Sequence, residues 1–276
     1  MAKEKDKQQE PEAKQEVVAW QPKKMGEGTD LLPVEFLGNL GNTTDAAGQQ
    51  LVGRDNIEKE DLILPTLRLL QGMSPPVTEG TEGAQPGLFF HSASQQIFKP
   101  PLRVLFVAHT KSKALYPRAD NIAHRGLKTC ISRDGVKGSQ YGLCEECRKC
   151  MDWGPDGQPP LGMESHCFTV LTDSGPAVMR FSRTNFKAAK QFLTTWNMSR
   201  KNLWAHPVVI KVSKQTKPLS NGQQATFFTM NPLWQTTEIV PPEFQTAAMA
   251  LHHMVMAAHE GGRFGADDEG TGPEGV

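Results

Sequence analysis

The sequence predicts a mainly β protein of the α+β class, built as an OB-like antiparallel barrel with an inserted cysteine-rich loop element and two flanking helices. Three observations lead to this class. Short apolar segments of strand length recur from residue 87 onward, residues typical of hairpin turns join several of them, and a segment with four of the five cysteines separates two groups of strands. A barrel is expected because short antiparallel strands remove their exposed edges by closing.

The composition divides the chain into four parts. Residues 1–30 are predicted to be a disordered, charged N-terminal tail and residues 261–276 an acidic, flexible C-terminal tail, because both have too few apolar side chains to build a core. Residues 31–86 are expected to be extended and loop-rich, with Pro65 interrupting an apolar stretch. The remaining part, 87–260, is predicted to be the folded domain.

Two groups of strands are predicted within this domain, and an insertion at 118–167 separates them. The first group contains a long apolar run behind Pro100-Pro101. In the second group, Asp173-Ser174-Gly175-Pro176 and Ser220-Asn221-Gly222 have the composition of hairpin turns. The predicted strands cover residues 88–90, 96–98, 102–109, 167–172, 177–182, 207–212 and 225–230.

Two helices are predicted beside the later strands. Thr184 is a suitable N-cap for an amphipathic helix at about 185–197. Pro241-Pro242 precedes a second apolar run, predicted as a helix over 243–259. Because Gln245 and two adjacent histidines interrupt this run, it is not expected to span a membrane.

The cysteines have the spacing of metal ligands. Two Cys-x2-Cys pairs overlap at residues 144–150, and zinc prefers four soft or borderline ligands at tetrahedral corners. One structural zinc ion per chain is therefore expected. The expected ligands are Cys130, Cys144, Cys147 and Cys167, with Cys150 and His166 as alternates.

A disulfide pair or free thiols are the alternative interpretation of these cysteines. No signal peptide precedes the chain, so the cytoplasm is the expected compartment, and its reducing conditions disfavour disulfides. A second alternative accepts the zinc but limits its role to holding a loop-rich insertion together. A closed site with four protein ligands has no open position for chemistry.

The formal net charge of zero conceals an uneven distribution of charge. Residues 1–98 have 9 Lys and Arg against 15 Asp and Glu, residues 99–218 have 20 against 8, and residues 219–276 have 1 against 7. A basic middle segment of +12 between two segments of −6 is typical of a protein that binds a polyanion. Ordinary solvated surface charge is the alternative explanation.

Candidate nucleic-acid-binding residues lie on and beside the predicted strands. Barrel-type single-strand binders combine Lys and Arg, which contact phosphates, with aromatic rings, which stack on bases. Most phenylalanines of the predicted strands are expected to be core residues, because strand periodicity places aromatic side chains inside. The candidates are Arg103, Lys111, Lys113, Tyr116, Arg118, Trp153, Arg180, Arg183, Lys211 and Lys214.

Several short motifs resemble those of a group of bacteriophage replication-module proteins, over about residues 60–245. They are Leu-Pro-Thr-Leu-Arg-Leu-Leu-Gln at 64–71 with Ser74-Pro75, Pro86-Gly87, the series Cys130, Cys144, Cys147, Trp153 and Cys167, and Arg-Phe-Ser-Arg-Thr at 180–184 before Lys187-Ala188-Ala189-Lys190. That group is generally taken for single-stranded DNA-binding proteins. The resemblance implies a zinc-containing barrel that coats single-stranded DNA during phage DNA replication and recombination, in the host cytoplasm. Cys150 departs from the pattern.

Other functions have less support in the sequence, and the residues that an enzyme of the classes considered would need are absent. A nuclease needs clustered carboxylates to bind Mg²⁺, and the basic middle segment has only eight Asp and Glu. The sequence also has no Gly-rich phosphate-binding loop that ends in Lys-Ser or Lys-Thr. The chain is therefore not expected to be an enzyme. A zinc-ribbon transcription regulator or RNA polymerase accessory protein is one alternative, and a zinc-stabilised virion structural protein is another. The acidic tail is a candidate site for replication proteins or RNA polymerase.

Overall fold

Antiparallel strands make up most of the structure, a computed structural model that describes residues 64–117, 125–154, 160–172, 175–218 and 224–260. Outside these ranges lie the predicted tails at 1–30 and 261–276, the segment 31–63, and the predicted turn at 220–222. The strands are β1 Leu67–Leu69, β2 Phe89–His91, β3 Ile97–Phe98, β4 Leu102–Leu115, β5 Cys130–Ser132, β6 Lys137–Gly138, β7 Gly142–Leu143, β8 Met163–Thr172, β9 Gly175–Ser182, β10 Val208–Pro218 and β11 Gln224–Trp234. The helices are α1 Pro75–Thr78, α2 Cys144–Cys147, α3 Phe186–Ser199 and α4 Pro242–Glu260, with 3₁₀ turns at Arg183–Asn185 and Leu203–Ala205.

The main sheet has the strand order β11-β10-β4-β8-β9, and all of its pairings are antiparallel. Strand β4 is its longest member and pairs with β8 along most of its length. On its other edge, β4 pairs with β10 at Leu102–Val104 and with β5 at Lys113–Leu115. One strand therefore runs from the centre of the sheet to the cysteine-containing insertion.

Four phenylalanines form the centre of the core, as the alternation of apolar residues along the strands predicts. Phe106 of β4, Phe168 of β8 and Phe181 of β9 are fully buried on one face of the sheet. Helix α3 covers this face with the buried Phe192, whose ring centroid lies 5.0 Å from that of Phe106. Helix α4 packs on β4 through buried Leu251 and Val255.

The segment around β1 contacts both outer strands of the main sheet. The Val178 N–H of β9 donates a hydrogen bond to the Pro65 carbonyl oxygen at 2.7 Å. At the other end, the Gln71 side chain accepts a hydrogen bond from the Phe228 N–H of β11 and donates one to the Phe228 carbonyl. The strand pairing of the described residues does not close a barrel, but this segment spans the opening between β9 and β11.

The mainly β, antiparallel class is confirmed, and the main differences from the predicted elements concern length. The hairpin predicted at 167–182 is present as β8 and β9, and α3 and α4 lie close to the predicted helices. Strand β4 continues to Leu115, past its predicted end at residue 109, and β8 begins at Met163, inside the predicted insertion at 118–167. The added residues are largely polar and pair with one another in the ladder, from Thr110 opposite Cys167 to Ala114 opposite Met163. No helix in the described parts of the chain is long and apolar enough to cross a membrane.

Candidate nucleic-acid interface and cysteine cluster

Four cysteines of the insertion line one small cavity of about 20 Å³. Cys130 comes from β5, Cys144 and Cys147 lie at the two ends of the single-turn helix α2, and Cys150 follows three residues later. Burial raises the pKa of the Cys150 thiol to about 11, and the other three thiols add to the rise because they are close enough to repel its thiolate. The structure therefore brings together four of the five cysteines.

Tight turns with defined hydrogen bonds bring these cysteines together. The Asp134 carboxylate accepts hydrogen bonds from the N–H groups of Val136 and Lys137, at 2.8 and 3.0 Å, and fixes the turn after β5. The Cys144 N–H donates to the Val136 carbonyl at 2.7 Å. Arg148 ends α2 in the left-handed conformation, with φ at 54°, so the chain reverses before Cys150.

Two glycines make room for the thiols. A Cβ atom at Gly138 would lie 2.6 Å from the Cys130 sulfur and 3.9 Å from the Cys144 sulfur. A Cβ atom at Gly162 would overlap the Cys150 sulfur and lie 2.9 Å from the Ala114 carbonyl oxygen. A side chain at Gly138 would therefore displace the Cys130 thiol, and one at Gly162 would also clash with the backbone of Ala114.

The fourth ligand expected from the sequence, Cys167, lies elsewhere. It is 5% exposed within β8, where it packs in the hydrophobic core, and its thiol is 3.3 Å from the Ser112 hydroxyl. The alternate His166 also lies in β8 and pairs with His109. The structure therefore does not bring Cys167 together with Cys130, Cys144 and Cys147, because β8 begins early enough to take Cys167 into the sheet.

A long basic stretch of sequence supplies three strands of the main sheet and helix α3. Residues 174–237 contain nine Lys or Arg and no Asp or Glu. Their elements are β9, α3, β10 and β11. The Asn185 side-chain oxygen links the start of α3 to β11, because it accepts a hydrogen bond from the Met230 N–H at 2.7 Å. Eight of the nine cations are exposed, and we call these eight the basic region: Arg183, Lys187, Lys190, Arg200, Lys201, Lys211, Lys214 and Lys217.

The β10–β11 hairpin carries the basic side chains with the least cover. Beyond its three-residue pairing with β4, β10 is exposed at all but one position from Lys211 to Pro218. Strand alternation places Lys211 and Lys217 on the same face as the half-buried Phe227, and the Lys217 ammonium lies 5.1 Å from the centre of the Phe227 ring. This face therefore combines cations with an aromatic ring.

The other predicted contact residues are dispersed. Arg103 forms an ion pair with Glu238, and Lys111 forms one with Glu164. Lys113 lines the cysteine cavity. The remaining positions are Tyr116, half-buried; Trp153, 68% exposed; Arg180, half-buried and opposite Cys167; and Arg118, outside the described residues.

Five exposed cations of the basic region were not among the residues predicted from the sequence: Lys187, Lys190, Arg200, Lys201 and Lys217. The signal that could have identified them is the absence of acidic residues from 174 to 237. Counting charges over broad segments does not show this absence, because the acidic residues of the insertion are averaged into the basic middle.

A pair of histidines lies beneath the start of α3. His109 Nε2 is 2.9 Å from His166 Nδ1, and the His166 ring stacks on Phe186 with a centroid separation of 4.6 Å. Burial, with smaller contributions from the neighbouring His166 and Lys111, lowers the pKa of His109 to about 4. Burial also lowers the pKa of His166. Both rings are therefore neutral at pH 7.

Acid is expected to destabilise the fold through this pair. The unfolded chain binds protons at His109 below about pH 6.5, whereas the folded chain does so only near pH 4, so stability is fully present above pH 6.5 and falls as the pH drops toward 4. The loss of folding free energy has an upper limit of about 1.4 kcal/mol per pH unit for each such group.

Urea unfolding at pH 7, 6 and 5 measures this loss. His109→Gln should flatten this dependence, whereas the control His253→Gln, at an exposed position on α4, should leave it unchanged; equal slopes in all three proteins would contradict the assignment.

A known protein family matches most of the chain. No curated protein and no solved structure matches the chain at a significant level. A family model described as Pam3 phage gp34-like protein matches residues 38–259.

Proposed function

The chain belongs to the Pam3 phage gp34-like protein family, and from that premise we propose that it binds single-stranded DNA without sequence preference during phage DNA replication and recombination. The family description names a phage protein and no activity, so the activity is inferred from the site. The basic region supports it most directly, because eight exposed cations lie on elements formed by a stretch without a single acidic residue. Such a surface attracts a polyanion by releasing its counterions.

The hairpin favours single strands over duplex. Lysines at 211 and 217 can contact phosphates at separate points along a strand of DNA, while the Phe227 ring on the same face can stack on an unpaired base. Bases in a duplex are already stacked on each other and do not offer their faces. Because every base has such a face, this mode of binding is tolerant of sequence.

We further propose that the main sheet, closed by the β1 segment, forms an OB-like barrel. The β1 segment contacts β9 through Pro65 and β11 through Gln71, so it occupies the position where a sixth strand would close the sheet. In this arrangement the β10–β11 hairpin is an extended arm at the edge of the barrel. Long arms of this kind enlarge the surface that a nucleic acid can contact.

Fluorescence anisotropy tests the proposal with labelled oligo-dT, a mixed-sequence single strand, oligo-rU and duplex DNA, each at two salt concentrations. We expect similar affinities for the two DNA single strands, weaker binding to duplex, and a logarithmic salt slope of about −0.7 for each phosphate contacted. Equal affinity for oligo-rU would extend the substrate to RNA. Preference for one duplex sequence would overturn the proposal in favour of a transcription regulator, and no binding to any of the four would favour a structural role in the virion.

A further inference from the structure

We propose that Cys130, Cys144, Cys147 and Cys150 bind one zinc ion, and that Cys167 is not a ligand. The site has a structural role and does not depend on the proposed DNA binding. This assignment keeps three of the ligands that spacing predicts and exchanges the fourth. The exchange rests on position, because Cys150 lines the cavity with the other three while Cys167 packs in the core.

The chemistry of the cavity suits zinc. Four thiolates at tetrahedral corners are a preferred set for this ion, with zinc–sulfur distances of about 2.3 Å. The cavity of about 20 Å³ is little larger than the space that one water molecule needs, about 10–15 Å³. It therefore has room for one ion and none for a substrate, which is the reason to assign a structural role.

The thiols must turn inward to bind the ion. In the described parts of the chain, no three His, Cys, Asp or Glu side chains are already arranged around a metal position. The Cys130 sulfur accepts a hydrogen bond from the Gln140 N–H at 3.4 Å, and the Cys150 thiol donates one to the Ala114 carbonyl at 3.7 Å. Thiols make only weak hydrogen bonds, so zinc–sulfur bonds more than replace these contacts.

The proton and charge balance is also favourable. Binding Zn²⁺ to four thiols releases four protons and leaves a centre of net charge −2. Lys113 and Lys149 line the same cavity and can offset that charge.

The insertion needs such a centre because it has almost no core of its own. Among residues 125–154 the only buried apolar side chain is that of Cys130, while Val136, Leu143 and Trp153 are exposed. Its strands are two or three residues long and its helix has a single turn. Elements this poor in apolar contacts commonly obtain their folding free energy from a metal.

The test compares two matched variants of the full chain, Cys150→Ala and Cys167→Ala. Elemental analysis should find one zinc per chain in the parent protein and in Cys167→Ala. Competition with a chromophoric chelator should show an affinity loss of at least about 100-fold for Cys150→Ala, exceeding the 10–100-fold loss typical of outer-shell changes. Cobalt substitution provides a second readout, because thiolate-to-cobalt charge transfer reports the number of sulfur ligands.

A third variant separates ligand loss from misfolding. Cys150→His keeps four ligands, so it should retain the metal and show weaker thiolate-to-cobalt charge transfer than the parent. Three outcomes would overturn the assignment: a parent protein without metal, metal loss in Cys167→Ala with retention in Cys150→Ala, or a disulfide between any two of the four cysteines under cytoplasmic redox conditions. DNA titration of the same proteins shows independently whether the proposed function holds.

Discussion

Changing Lys190, Lys211, Lys214 and Lys217 together to glutamate is expected to lower the affinity for single-stranded DNA by on the order of 10²–10³-fold at 0.1 M salt. All four side chains are exposed on α3 and β10. If each contacts one phosphate, the logarithmic salt slope becomes shallower by about 2.8, because each lost contact removes about 0.7. Anisotropy titration with oligo-dT over a range of salt concentrations measures both quantities.

A control with the same charge change distinguishes local contact from general attraction. Lys99, Arg125, Lys128 and Lys137 are exposed cations outside residues 174–237. Their combined change to glutamate should reduce affinity at low salt and leave most of the slope intact. If both variants lose affinity and slope equally, the basic region is not the DNA interface. Circular dichroism of both variants confirms that the loss is not caused by unfolding.

Replacing Phe168 with alanine is expected to lower the free energy of unfolding by about 3–5 kcal/mol. Its ring is 0% exposed and stacks on Phe106 with a centroid separation of 4.6 Å. It also contacts Phe181 and Phe192 edge-on, at 5.4 and 5.8 Å. The substitution removes the central ring of this group and leaves a cavity between the sheet and α3. Urea unfolding followed by circular dichroism measures the loss.

Phe227→Ala is the matched control, since it deletes the same atoms from a half-buried ring on the outer face of the hairpin. Its cost to stability should stay below about 1 kcal/mol. The same variant should weaken DNA binding if its ring stacks on a base, by about 1–3 kcal/mol. Comparable stability losses at the two positions would mean that the core is not centred on Phe168.

The periodic parts of the fold could be predicted from the sequence. The β8–β9 hairpin and α3 have regular apolar spacing, and both were located to within a few residues, although Asn185 and not the predicted Thr184 precedes α3. Residues 110–115 could not be recognised as strand, because Lys111, Ser112 and Lys113 lack the apolar alternation of a half-buried strand. Their strand conformation comes from tertiary pairing with residues 163–167.

The site was predictable in kind but not in detail. Spacing identified a group of cysteines but favoured Cys167 over Cys150 as the fourth member, because spacing carries no information about where β8 begins. Similarly, the sequence identified Arg103 and Lys111 as cations, but only the structure shows that Glu238 and Glu164 form ion pairs with them. Both the membership of the cysteine cluster and the pairing of these cations depend on residues that are distant in sequence and close in the fold.

The position of the insertion in the ladder has a consequence for variation within the family. The chain leaves β4 after Leu115 and re-enters the sheet at Met163, which is paired with Ala114. The two ends of the insertion are therefore adjacent in the sheet, as the two ends of a hairpin turn are. The insertion has 47 residues where a short turn could join the same two strands. Because the entropy of closing a loop grows only slowly with its length, related chains can lengthen, shorten or exchange this module without disturbing the register of the sheet that carries it.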